Sequence, residues 1–196
     1  MDNKEHIGLY FGSFNPVHTG HLIIAESIIN NTDTDKIWFV VSPHNPLKEK
    51  SSLAEGRVRL EMLRQAVKDN PFFAVCDAEF SLPKPSYTVN TLAYLSGAYP
   101  DKRFSIIMGQ DNLCVLDKWK DYAFILDNYT IYVYPRNNYQ GSAFEGYKNI
   151  MKVDAPLVEI SSTYIRNCIK QNKSIKYLVR DEVADIIEKQ KLYLSE

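Results

Sequence analysis

His18 and His21 close the run Gly12-Ser13-Phe14-Asn15-Pro16-Val17-His18-Thr19-Gly20-His21, which lies between two apolar stretches, Ile7 to Phe11 and Leu22 to Ile29. The first stretch is short and aromatic, as a buried strand is, and the second has apolar residues at helical spacing. Gly12 and Gly20 permit close backbone approach, Pro16 stiffens the connection, and a helix opening here offers N–H groups to an anion. Residues three apart share a face at a helix start, so both imidazoles can donate to one anionic group. The chemistry this pattern suits is the binding and polarisation of phosphate oxygens. Taken singly, either histidine is more often a cap or a packed core residue.

A second cluster lies near the other end of the chain, in Ile160-Ser161-Ser162-Thr163-Tyr164-Ile165-Arg166. Ser161, Ser162 and Thr163 are good helix N-caps, and capping alone would account for them. Arg166 adds a guanidinium that can fold back beside the first-turn N–H groups, which together make a site for a multiply charged phosphate. Three further segments lie between. Pro43 to Lys48 (PHNPLK) follows a strand-like run, and Lys48 by itself is an ordinary surface charge. In Pro85 to Leu92 (PSYTVNTL), Ser86 or Thr88 can start a helix. Gly109 to Tyr122 opens with Gly109 and Asp111 in a tight turn, and Trp119 lies among Asp117, Lys118, Lys120 and Asp121. A tryptophan inside an amphipathic helix is usually core, but these charged neighbours predict partial exposure and a stacking surface.

The elements that must position these residues alternate along the chain. Strands are expected over residues 7–11, 36–42, 72–75, 104–108 and 129–134, and helices over 22–29, 53–68, 88–95, 122–126, 161–171 and 181–190. Residues 135–149 are polar and aperiodic and read as an exposed excursion with no assigned function. The alternation predicts an α/β fold, a single doubly wound, mostly parallel sheet with helices on both faces. In such a sheet ligands bind outside the carboxyl ends of the strands, where the loops after Phe11, Ser42 and Met108 converge.

The 196 residues, 45% hydrophobic and 24% charged, suffice for one α/β core, so residues 1–196 are expected to form one domain. A formal net charge of −1 gives no general attraction to nucleic acid or to an anionic membrane. Cys76, Cys114 and Cys168 are far apart, with no CxxC pair. With a polar N-terminus and no bilayer-spanning run, the expected location is cytoplasmic.

Residues 12–21 resemble the G-x-F-x-P-x-H-x-G-H form of the HxGH motif, and residues 160–166 the IS-S/T-T-x-I-R motif, of the HxGH nucleotidyltransferase superfamily. With the proline-lysine element ending at Lys48, the SYTVNTL segment and Gly109 to Trp119 in the same order, the chain is similar to the bacterial nicotinate-nucleotide adenylyltransferases over nearly its whole length. It departs from many members at Phe11, where they carry glycine. The resemblance implies a Rossmann-like fold and transfer of AMP from ATP to nicotinate mononucleotide, giving deamido-NAD and pyrophosphate by in-line attack. It implies His18, His21, Lys48 and Arg166 as catalytic residues. ATP would then contact Gly12, Ser13, Phe14, Gly109, Asp111, Ser161, Ser162 and Thr163 as well as both histidines and Arg166. Nicotinate mononucleotide would contact Ser13, Phe14, Lys48, Tyr87, Thr88 and Trp119, with the indole stacked on the pyridine and backbone N–H groups of the SYT segment receiving its carboxylate. Mg²⁺ would accompany ATP, since carboxylates dedicated to a metal cage are not evident. Two alternatives stay open: adenylyl transfer to nicotinamide mononucleotide or another phosphorylated small molecule, and a nucleotide sensor without catalysis. Oligomeric state, a homo-oligomer included, is also open.

Overall fold

The computed structural model describes residues 4–43, 53–137, 139, 141–144 and 146–194. Its strands are β1 (Glu5–Gly12), β2 (Lys36–Val41), β3 (Phe73–Cys76), β4 (Lys102–Gly109), β5 (Thr130–Tyr134) and β6 (Ile150–Lys152). They form one sheet in the order β3-β2-β1-β4-β5-β6, every pair parallel. Helices α1 (Thr19–Asn31), α2 (Gly56–Val67), α6 (Ser162–Lys170) and α7 (Asp181–Lys189) cover one face, and α3 (Thr88–Ala98), α4 (Gln110–Leu113) and α5 (Tyr122–Asn128) the other. The expected doubly wound α/β architecture is what the chain adopts.

Side chains alternate across a strand, so each central strand feeds both layers. Ile7 and Leu9 of β1 join Ile106 and Met108 of β4 beneath α3, while Tyr10 joins Ile107 and Tyr132 beneath α1 and α2. On α2, Leu60, Leu63 and Val67 are all buried, as their spacing requires.

Two local expectations need correction. The helix expected from residue 53 begins at Gly56, because Ala54 is held from outside: its N–H donates to Asn15 Oδ1 at 3.1 Å and its carbonyl accepts from Arg59 Nε at 2.9 Å. Trp119, outside the expected helices, ends a short 3₁₀ turn, Leu116–Lys118. The excursion over residues 135–149 is not wholly exposed: Phe144 is buried, 5.9 Å from the Tyr122 ring, and the chain then returns as β6. That strand has three residues, two of them exposed, so it carries no hydrophobic period.

The order of strands explains where a site can form. From the adjacent β1 and β4 the chain steps outward in opposite directions, to β2 and β3 on one side and to β5 and β6 on the other. The loops leaving these two strands therefore diverge and leave a crevice at their carboxyl ends. The loop after Gly12 and the turn after Gly109 flank it.

Candidate active site

Gly12, Ser13, Phe14, His18 and His21 line one cavity of about 560 Å³ together with Asp111, Ser161, Ser162, Thr163 and Arg166. The two distant sequence clusters are thus one place in space. They are tied directly: Ser162 Oγ donates to the Pro16 carbonyl at 2.9 Å, and Arg166 Nη1 donates to the Asn15 carbonyl at 2.8 Å. Arg166 Nη2 donates to Thr163 Oγ1 at 3.2 Å, so the guanidinium is fixed while other donors of its five remain. Ser161 is the N-cap of α6, its Oγ accepting the Tyr164 N–H at 3.1 Å. Capping is thus real here, and it orients the amides of the α6 first turn beside the arginine. Phe14 adopts the left-handed region, φ 45°, with its buried ring against His21 and Phe39.

His18 and His21 share the start of α1, as their spacing requires, with ring centroids 3.7 Å apart. His21 Nδ1 accepts the His18 backbone N–H at 3.2 Å. A ring nitrogen that accepts a backbone N–H bears no proton, which places the proton of this imidazole on Nε2. The α1 amides themselves are less available than the sequence suggests: the Thr19 N–H donates to Leu178 O and the His21 N–H to His18 O, both at 2.9 Å. At this helix the imidazoles, rather than those amides, are offered to a ligand.

His18 is buried, and its Nδ1 has no hydrogen-bond partner among the described residues. Burial, reinforced by the Arg136 cation, lowers its pKa to about 3, so it is a neutral ring at ordinary pH. Because the unfolded ring takes up a proton near 6.5, its contribution to stability is complete above that pH and is lost as pH falls toward about 3. Calorimetry should show a smaller fall in Tm between about pH 7 and pH 5 for His18→Gln than for the wild type; equal falls would contradict a buried neutral ring. Gly20 makes this placement possible, since a Cβ there would lie 2.9 Å from Val158 Cγ1 and 3.0 Å from His18 Nδ1. Gly20→Ala should displace the His18 ring and cut turnover by about tenfold or more, and unchanged turnover would show that the ring position is unimportant.

Sequence reasoning missed Asn15, Arg59 and Arg136. Asn15 Oδ1 accepts from Tyr193 Oη at 2.8 Å as well as from the Ala54 N–H. Arg59 is fully buried on α2 and donates to four carbonyls: Ala54 at 2.9 Å, Ser13 at 2.6 Å, Ser42 at 2.8 Å and Pro43 at 3.0 Å. It thereby fixes the first loop and both flanks of residues 44–52. Lys48, expected to neutralise phosphate charge, lies outside the described residues.

Arg136 follows β5 and lines the same cavity. Its guanidinium lies 5.1 Å over the Tyr134 ring, and its Nε is 3.9 Å from Asp111 Oδ1. Both of those atoms are buried without a hydrogen-bond partner among the described residues. Its place just beyond the carboxyl end of a strand was the available signal. A Cβ at Gly109 would lie 2.2 Å from Asp111 Oδ1, so a side chain there would displace the Asp111 carboxylate.

A second cavity, of about 350 Å³, adjoins the first and shares Tyr10, Phe11, Gly12, Asn112 and Tyr134 with it. It is lined by Gly109, by Ser86, Tyr87 and Thr88 at the start of α3, and by the partly exposed Trp119. Tyr87 is the N-cap of α3, so Ser86 stands just outside the helix. Among the described residues no three His, Cys, Asp or Glu side chains come together to hold a metal ion.

The family model for cytidylyltransferase-like proteins matches residues 9–168. A Cytophaga hutchinsonii protein named as a probable nicotinate-nucleotide adenylyltransferase is 51% identical over 187 residues, 95% of this chain and 97% of that protein. A Flavobacterium johnsoniae protein of the same name is 49% identical over 189 residues, covering 95% of this chain and 98% of its own. The solved structure of Plasmodium falciparum nicotinic acid mononucleotide adenylyltransferase complexed with NaAD shares the fold, with a TM-score of 0.81, 20% identity and coverage of 96% of this chain and 97% of that one. Sheet order, switch-point crevice and motifs define a nucleotidyltransferase. The chain belongs to the cytidylyltransferase-like family and, within it, to the nicotinate-nucleotide adenylyltransferases.

Proposed function

We propose that the chain transfers the AMP of ATP to nicotinate mononucleotide, forming deamido-NAD and pyrophosphate. The observation that carries this reading is the pair of adjoining cavities. One is walled by Arg166, Arg136, two imidazoles and the start of α6, and the other by Trp119 and the start of α3. The first suits a triphosphate and the second a flat acidic ring, with Gly12 between them.

In the reaction a phosphate oxygen of nicotinate mononucleotide attacks the α-phosphorus of ATP, and the bond from that phosphorus to the bridging oxygen of the β-phosphate breaks. The attacking oxygen is already anionic, so no general base is needed. The residues hold two repelling anions together and stabilise charge as it moves onto pyrophosphate. His21 donates from Nε2 to the transferred phosphate, and the neutral His18 supports it by stacking and hydrogen bonding without adding charge. Arg166 and the α6 first turn hold the β- and γ-phosphates, and Lys48, outside the described residues, adds positive charge. Arg136, tethered near Asp111, faces the nucleotide. Gly12, Ser13 and Phe14 let the backbone approach the phosphates, and Gly109 with Asp111 meets the adenosine. Among the described residues no carboxylate cage lines the cavity, so Mg²⁺ would enter this site as a companion of ATP and would supply charge neutralisation there.

The nicotinate ring stacks on Trp119, and its carboxylate meets the N–H groups at Tyr87 and Thr88. Trp119→Ala should raise KM for nicotinate mononucleotide by about tenfold or more while KM for ATP changes little; steady-state kinetics with each substrate varied would test this, and an unchanged KM would remove the indole from the site. The same reading makes residues 1–196 one catalytic domain, acting in the cytoplasm on small nucleotides rather than on nucleic acid. No helix among the described residues is long and apolar enough to cross a membrane.

A further inference from the structure

The cavity beside α3 contains a buried acid that the transfer chemistry leaves unused. Glu79 lies in the 3₁₀ turn Ala78–Phe80 after β3, is 2% exposed, and lines this cavity. Thr91 Oγ1 donates to its Oε1 at 3.0 Å. Its Oε2 is buried and has no hydrogen-bond partner among the described residues, and the same holds for Ser86 Oγ, from the same wall. A buried polar atom left unsatisfied is destabilising, so two on one wall of a cavity point to a ligand that completes them.

Among the described residues the acid has no counter-ion. Among the described residues no cation lies within ion-pair distance of Glu79, and the neighbouring Asp77 takes Arg64 of α2 at 3.2 Å. The other titratable or charged groups around it are Cys76 at the end of β3 and, along the same cavity, Tyr10 of β1, Tyr134 of β5, Tyr87, Lys118 and Lys120. None of them bonds Oε2. Burial raises the Glu79 carboxyl above its ordinary value; the hydroxyls of Ser42, Thr91 and Ser86 lie near enough to oppose this, but only Thr91 makes a hydrogen bond to the carboxyl, at Oε1, and neither serine reaches Oε2 in hydrogen-bond geometry.

We propose that Glu79 is a specificity-determining residue that carries a proton whenever a ring carboxylate occupies this pocket, donating from Oε2 to the ligand. The inference rests on the reading that the nicotinate ring lies between Trp119 and α3. The proton comes from solvent, and the two carboxyl groups then share it, leaving one negative charge toward the α3 N-terminus. An ionised Glu79 would instead place two like charges in one desolvated pocket and would favour an amide, whose NH₂ can donate to Oε2. An acid ligand therefore binds with uptake of a proton that an amide ligand does not need.

The sign of the pH dependence follows. The bound carboxylate raises the Glu79 pKa above its value in the free protein, so binding of the acid is strongest below the free value and is lost as pH rises through the value in the complex. Titration calorimetry of the wild type, in two buffers of different ionisation enthalpy at a series of pH values from about 5 to 9, should show a window in which more protons, up to about one, are taken up with nicotinate mononucleotide than with nicotinamide mononucleotide. The phosphate common to both ligands cancels. Affinity for the acid relative to the amide should fall by up to about tenfold per pH unit across that window. Glu79→Gln keeps a donor without titrating, and in it both the excess proton and the relative pH dependence should vanish. Equal proton uptake for the two ligands in the wild type, or the same excess in Glu79→Gln, overturns the proposal while leaving the ring pocket intact. Should Glu79→Gln not fold, the wild-type comparison decides alone. Failure of nicotinate mononucleotide to bind at all would sink the ring-pocket reading itself, and this inference with it.

Discussion

Replacing His21 by alanine should lower kcat by about 10²–10³ while leaving the protein folded. His21 Nδ1 is committed to the His18 backbone N–H, which leaves Nε2 as the donor, and the ring lines the cavity that holds Arg166 and the start of α6. The loss is one transition-state donor in a desolvated site, and it should appear in kcat more than in KM for ATP. Removing the contact to the α1 start costs about 1 kcal/mol, or about 2–4 °C in Tm for a chain of this size. Pyrophosphate release measured beside a melting curve separates the two effects. Near-normal turnover in a folded variant would take His21 out of the chemistry.

The second large effect is on stability. Arg59→Met keeps most of the buried volume but strips hydrogen bonds from the carbonyls of Ser13, Ser42, Pro43 and Ala54 at once. Burial pushes the Arg59 pKa down, yet four carbonyl dipoles surround the cation in place of a carboxylate. Removing such a hub should cost about 3–5 kcal/mol, a fall in Tm of about 10 °C or more by calorimetry. Arg59→Lys should rescue only part of this, because one ammonium cannot reproduce the planar fork. A loss below about 1 kcal/mol would show that water can replace the guanidinium.

What the sequence disclosed and what it withheld divide along a physical line. Gly12 to His21 and Ile160 to Arg166 are legible because each packs its donors into one contiguous turn, where spacing alone brings side chains together. The sheet was legible because buried parallel strands are continuous apolar runs, and β6, three residues at an edge, has no such run. Glu79, Arg59 and Asn15 escaped notice because their roles come from burial by distant segments. Arg59 gathers carbonyls from three stretches of chain, and Asn15 is reached by Tyr193 across 178 positions. Thr19 at the start of α1 shows the converse, since its N–H and hydroxyl, which look available in the sequence, are taken up by the carbonyl of Leu178, 159 positions away. Trp119 was expected to be partly exposed, which it is, at the end of a 3₁₀ turn.

The most direct measurement is pyrophosphate release from MgATP with nicotinate mononucleotide, nicotinamide mononucleotide and phosphopantetheine supplied in parallel to the wild-type protein. The predicted result is rapid release with the nicotinate substrate, much slower release with the amide and none with phosphopantetheine. Equal or faster release with the amide would contradict the acid-binding pocket at α3, and no release with any acceptor would contradict catalysis itself.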